Sequence, residues 1–219
     1  MLDGMTRGAG DVRRRNATAA MAGVALYAAV DVVLQRLPPR YSAISDSESS
    51  LAVGPFGWIM NLNFLGRAAT TGCALVAIAR TGPPSPLRSV GLALTAMGGA
   101  SSAALAFFPT DVAGPGAGPG AGLVATTPVG KIHLAIASAG FVAALGGFGV
   151  LTAWTRRTPG LRRVASAAEV AVGTATGGLV SVVLAIAFVP RVVGLAERVC
   201  LAGILGWVWV VCGGIRQLR

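Results

Sequence analysis

The residues with the clearest chemical potential sit where the chain leaves two apolar stretches. Asp111 follows Phe107-Phe108-Pro109-Thr110, and His133 follows Lys131-Ile132 at the start of the next stretch. A carboxylate beside an imidazole is a usable acid/base pair, the carboxylate orienting the ring and raising its basicity. The polar segment 41–50 adds Asp46 and Glu48 on the same side of the chain's apolar runs. With Asp111 and His133 these two could instead hold a divalent ion through oxygens and one nitrogen, which is the weaker reading. The plainest reading is that Asp111 caps or turns the chain after Pro109 while His133 hydrogen-bonds to the loop. His133 is the one histidine of the chain, which excludes any site built on two or three. No cofactor or metal site is therefore expected.

Three further charges, Asp31, Arg67 and Glu169, interrupt apolar runs. An unpaired charge near mid-bilayer costs at least ~2.5–3.5 kcal/mol. At 1.5 Å per residue Asp31 lies ~10 Å deep and Arg67 ~15 Å deep, so neighbouring antiparallel helices would bring them together. An Asp31–Arg67 interaction is expected, with Glu169 as the alternative partner. It is either a structural clasp or part of a binding or proton-transfer site. Asn61 and Asn63 are ~200° apart on a helix, so at most one can face a shared pocket. Asn61, Arg67, Trp58 and Trp207 are the candidate substrate-binding residues beside the candidate catalytic set of Asp111, His133, Asp31, Asp46 and Glu48.

The elements that must carry these residues follow from composition. Of 219 residues 54% are hydrophobic and 12% charged, with a formal charge of +10; an ordinary soluble domain carries about 25% charged residues. A soluble nucleic-acid binder is excluded, and the bilayer is the expected partner. Six apolar stretches, 19–37, 56–79, 90–108, 132–154, 164–189 and 199–215, each approach the ~17–25 residues needed to cross as a helix. Placing the N-terminus inside puts Arg7, Arg13, Arg14, Arg15, Arg80, Arg88, Arg156, Arg157, Arg162, Arg163, Arg216 and Arg219 in the cytoplasm, 12 of the 18 basic residues. Outside fall Arg36, Arg40, Lys131, Arg191 and Arg198. The excess predicts an all-α bundle of six transmembrane helices, N-in and C-in, multi-pass in the plasma membrane. The expected layout is a cytoplasmic tail at 1–16 and one six-helix domain at 17–219 with long outer loops at 38–55 and 109–130. A cleaved signal peptide is disfavoured by Asp31 within the first run and by the lack of a small-x-small cleavage site.

Small residues recur every fourth position in the fourth stretch (Ala135, Ala139, Ala143, Gly147) and the fifth (Gly173, Gly177, Ser181). Such strips let helices approach closely, and Glu169, four residues before Gly173, should share the protein-facing side. Cys73, Cys200 and Cys212 fit no zinc or redox spacing and read as packing residues. Tyr41 and Trp58 suit an interfacial aromatic belt, Glu197 and Arg198 a surface pair, and the Gly/Pro run 113–123 a flexible spacer. Neither an internal repeat nor a channel filter is visible.

Several of these short motifs together resemble a family. Tyr41-Ser42-x-Ile44-Ser45-Asp46-x-x-Ser49, the Trp-Ile-Met-Asn run from Trp58, Phe108-Pro109-Thr110-Asp111, Gly130-x-x-His133 and Glu197-Arg198 are similar to bacterial membrane proteins of the domain-of-unknown-function 998 family. The resemblance runs from about residue 20 to 216 and implies a six-helix membrane fold with no established activity. The Gly/Pro-rich insertion departs from the shorter loop expected in that family.

Two classes of function follow from the residues. One is a membrane-embedded acid/base enzyme or binder for a lipophilic substrate, for example a proton-initiated, metal-independent isoprenoid or terpene cyclase. Asp111 is then the first choice of acid and Asp31 the second, by analogy of architecture rather than motif. The other is a non-catalytic structural or regulatory membrane protein that binds lipid or a partner, its polar residues acting as clasps and caps.

Overall fold

The protein is described by a computed structural model covering residues 2–37, 41–112 and 125–218. The Gly/Pro run at 113–123 lies outside the described residues. Among the described residues every long element is helical: α1 (Leu2–Leu34), α2 (Gly57–Ala79), α3 (Pro86–Leu105), α4 (Pro128–Arg157), α5 (Arg162–Phe188) and α6 (Val193–Arg216). Three short 3-10 turns, the first at Glu48–Ala52, link them. Helices adjacent in sequence pack in space, and α6 closes the ring against α1. Arg13 Nη2 donates to the Leu218 carbonyl at 2.9 Å, so both ends of the chain meet at one pole of the bundle. We call this the terminal pole, and the opposite one, which carries segment 41–52, the loop pole.

Local chemistry explains the helix starts. Ser85 accepts from the Arg88 amide and precedes a proline in α3's first turn, and Thr127 does the same for Gly130 and α4. A short hydroxyl cap followed by proline satisfies one orphan amide and presets φ. The turn from α2 to α3 needs φ +64° at Gly82, a conformation that favours glycine. Buried Arg88 then donates from Nη1 to the carbonyls of Thr81 and Gly82 at 2.7 and 2.8 Å, satisfying the end of α2.

Five helices are long and apolar enough to cross a membrane: α1 from Gly10, α2, α4, and α5 and α6 with their leading 3-10 turns. The exception is α3, where Arg88, Ser89, Thr95, Ser101 and Ser102 dilute the apolar residues. Large side chains such as Leu26, Val142, Val170 and Phe188 stand exposed on the outer faces, as contact with lipid allows and water does not. The chain is an integral membrane protein.

Close approach uses small residues, but not all of those expected. Gly140 packs on Ser101, Gly147 on Thr95 and Gly91 on Leu151, so α3 and α4 touch along their length. In α4 the upper half of the expected strip, Ala135 and Ala139, is exposed while Ala143 and Gly147 are buried. A spacing of four residues advances 400° per step, so such a strip rotates by ~40° each turn and leaves the interface. In α5 the contact face is one side over from the expected one. A Cβ at Gly203 would strike the Ala175 backbone, and one at Gly178 would strike Cys200, whereas Gly173 and Gly177 have open space. Glu169 accordingly faces outward and pairs with Arg156. All three cysteines are free, Cys200 and Cys212 buried and Cys73 half-buried.

Candidate functional site

Segment 41–52 folds over the loop pole and is fastened from below. Arg198 of α6 donates to the carbonyls of Ala43 (2.9 Å), Gly194 (3.1 Å) and Asp46 (3.3 Å) and to the Tyr41 hydroxyl. Leu195 N–H bonds the Ile44 carbonyl at 3.0 Å. A Cβ at Gly194 would strike the Asp46 backbone, so only glycine lets the loop sit this close. Asp46 closes the turn itself, its carboxylate accepting from the Ser42 amide at 2.8 Å and the Ser45 hydroxyl at 3.3 Å. Tyr41 is thus a clasp residue, not a belt anchor, whereas Trp58 is 62% exposed and faces outward.

Beneath the loop lies a buried network. Tyr27 OH donates to Glu48 Oε1 at 2.6 Å and accepts from Arg67 Nη1 at 3.1 Å. Arg67 Nη1 stands 3.7 Å from Glu48 Oε2, and its Nε donates to Ser102 Oγ at 2.8 Å. Ser102 passes its own proton to the Phe64 carbonyl at 2.9 Å. Glu48 is buried on the loop, and burial pushes its carboxyl up to about 7, outweighing the attraction of Arg67. The expected Asp31–Arg67 pair does not form. Arg67 takes Glu48, which sequence separation had hidden, because the loop folds inward. Asp31 instead accepts from Gln35 at 2.6 Å, just past the end of its own helix, and among the described residues its buried Oδ1 has no hydrogen-bond partner. The buried asparagine is Asn63, which donates to the Tyr27 carbonyl at 3.2 Å; Asn61 is only half-buried, on another face of α2.

Asp111 and His133 border the same space but are engaged separately. Asp111 Oδ2 accepts from the amides of Thr126 and Thr127 at 2.7 and 2.8 Å, and Oδ1 from the Thr127 hydroxyl at 2.7 Å. These bonds, the Thr127 hydroxyl first, lower its carboxyl to about 2; a carboxylate accepting several N–H and O–H bonds stays ionised. A Cβ on Gly130 would meet that carboxylate at 2.5–2.6 Å, so the glycine admits the clamp. His133 Nδ1 lies 2.6 Å from the Phe108 carbonyl. A carbonyl only accepts, so Nδ1 carries a proton, and in the neutral ring Nε2 keeps a lone pair.

A cavity of about 280 Å³ opens beside these groups. Its walls are apolar residues of α4 and α5, among them Leu134, Val142, Val183 and Ile186, all exposed on the membrane-facing side. Its inner lining carries buried His133 with Glu197, and half-buried Asp111 and the loop serines Ser47 and Ser49 border it. It exists because the α4–α5 seam is the loosest between consecutive helices. Glu197 is no surface partner of Arg198: its Oε2 accepts from the Glu48 amide at 2.8 Å. The sequence offered no sign of this role beyond the Glu197-Arg198 dipeptide. Of the candidate residues, only Asp111 and His133 line this cavity. Trp207 lies in the far half, stacked on Phe148 at 4.1 Å and donating to Thr152 at 2.8 Å. Among the described residues no three His, Cys, Asp or Glu side chains gather as a metal site.

No curated protein and no solved structure matches the chain. One family profile, described as protein of unknown function DUF998, matches residues 21–214, nearly the whole helical bundle. The chain therefore belongs to the DUF998 family.

Proposed function

We propose that the protein binds a lipophilic molecule in the α4–α5 cavity and presents its end to His133 and Glu197 for acid/base chemistry. One observation carries this reading: a cavity walled by exposed aliphatic side chains ends at an imidazole lone pair and a carboxylate. Ligand sites are commonly apolar clefts with a few convergent polar groups. All six helices cross the plasma membrane in this reading, α3 shielded by its neighbours. The arginine-rich terminal pole lies in the cytoplasm, with both termini inside and the cavity in the outer leaflet.

Within that reading, isoprenoid cyclisation is the narrower version. Asp111, held ionised, is a poor proton donor, and Asp31 is engaged on α1 by Gln35. The donor is then Glu197 in its protonated form. It gives its proton to an alkene carbon, a second double bond closes on the cation, and His133 Nε2 takes the proton lost from the ring. Protons balance when His133 returns one to Glu197 through water, so the net change is an isomerisation. Lipid extracts of purified wild-type protein and of Val142→Trp, which plugs the cleft, test the binding step. A co-purifying lipophile present in the first and lost in the second is expected; identical extracts would refute it. His133→Gln and Glu197→Gln should leave that lipophile bound and unconverted.

A non-catalytic reading draws on the clasps. Arg198, Asp111 and Glu48 all hold loop backbone or partners already present, which suits a rigid outer cap that meets lipid headgroups or another protein.

A further inference from the structure

We infer that the α4–α5 cavity selects lipophiles whose polar end donates hydrogen bonds and carries no negative charge, a long-chain alcohol or amine, over phosphate- or carboxylate-ended chains. This rests on the binding reading above and adds the chemistry of the head. Two acceptors face the cavity from its inner lining. His133 has committed its Nδ1 proton to Phe108 and offers only the Nε2 lone pair. Glu197 has one oxygen occupied by the Glu48 amide and no other hydrogen-bond partner among the described residues. Asp111 adds an ionised carboxylate at the rim, its oxygens turned to Thr126 and Thr127. Among the described residues no lysine or arginine lines the cavity. The nearest guanidiniums are spent elsewhere, Arg198 on the loop carbonyls and Arg67 on Tyr27, Glu48 and Ser102.

A phosphate or carboxylate entering this space would meet acceptors and a like charge, with only the neutral hydroxyls of Ser47, Ser49, Thr110 and Ser138 to donate and no cation to compensate it. An ammonium can donate to both acceptors, and a hydroxyl can donate to one of them. A site built to hydrogen-bond an O–H or N–H discriminates strongly against ends that cannot donate. Size agrees with one chain end: an apolar cavity of ~150 Å³ already holds benzene, and this one is about 280 Å³. The rest of the chain can leave sideways between Val142 and Val183, which are 66% and 62% exposed.

The test is photolabelling of the purified full-length protein in neutral maltoside micelles with a diazirine-bearing hexadecanol. Hexadecanol, hexadecylamine, hexadecanoate and hexadecyl phosphate compete at equal mole fraction in the micelle, at pH 7.5. The alcohol and amine should displace the label at ~10-fold or lower concentration than either anion. Asp111→Asn should narrow that gap by removing the like charge at the rim. Equal or better competition by the anions would overturn the head selectivity while leaving chain binding intact. Absence of labelling in the wild type, or labelling unchanged in Val142→Trp, would overturn the cavity reading itself. Val142 faces outward, and unaltered monodisperse elution of the variant confirms that it folds.

Discussion

The two poles of the bundle are built on different principles. At the terminal pole Ala17, Ala20, Leu151, Leu161, Val211 and Ile215 are buried around the Trp207–Phe148 stack. Glycines there make room for a neighbouring helix's side chains, Gly91 for Leu151 and Gly214 for Val164. At the loop pole an ion pair and its hydrogen bonds are set among the apolar contacts of Tyr27, Leu51, Met60 and Phe64, and a cavity remains beside them. The lesson is a contrast in construction: one half is filled by apolar packing, and the other carries a buried polar network beside a cavity. Without a hydrophobic drive between helices in lipid, close packing needs small residues, and where these face away the seam can stay open.

Substitutions that strike one pole should sharpen this contrast. The largest effect is expected from Arg67→Ala, which leaves Glu48 buried without its cation and should cost ~3–5 kcal/mol. Thermal unfolding in detergent measures it, and the loss should shrink at pH 5, where Glu48 takes a proton. An Arg67→Met, Glu48→Leu double variant should recover much of the stability; failure to recover would mean that the network holds the loop in a way apolar packing cannot replace.

Gly203→Leu probes close packing on the opposite principle. Its side chain would meet the Ala175 backbone, so a loss of ~3 kcal/mol is expected. Gly177→Leu, in open space on the same helix pair, should stay within ~0.5 kcal/mol. Equal effects would erase the distinction between contact and lipid faces of α5.

Stability should also depend on pH through Glu48. Its folded carboxyl titrates near 7 against an ordinary value of 4.5, so the folded state binds the proton more tightly. Stability is then fully present below about pH 4.5 and falls as pH rises toward 7, by on the order of 3 kcal/mol at most. Glu48→Gln should flatten that slope; an unchanged slope would assign it to another group. A smaller loss than those at Arg67, Gly203 and Glu48 is expected for Trp207→Phe, ~1 kcal/mol from the lost bond to Thr152, with hexadecanol labelling unaltered because the residue lies away from the α4–α5 cavity.

Much of the architecture was legible in the sequence, because helix length and apolar composition are local properties. Five helices meet the spanning criteria, and Asp111 and His133 do border one space. The pairings were less legible. Arg67 meets Glu48 only because segment 41–52 folds inward under Arg198, a consequence of backbone carbonyls that no side-chain pattern advertises. The α5 face was misjudged because that helix carries small residues on two sides, Gly173 and Gly177 on one and Ala175 and Gly178 on the other. Glu197 gave no signal beyond its place beside Arg198, since its surroundings, the Glu48 amide and the α4–α5 cavity, come together only on packing.

The central claim is that the cleft between α4 and α5 holds a lipophilic chain with its end at His133 and Glu197. A cryo-electron microscopy map of the protein in nanodiscs tests it most directly. The account predicts elongated density entering between Val142 and Val183 and ending within hydrogen-bond reach of His133 Nε2. A cleft closed by its own side chains, or annular lipid with headgroups turned away from Glu197, would contradict it.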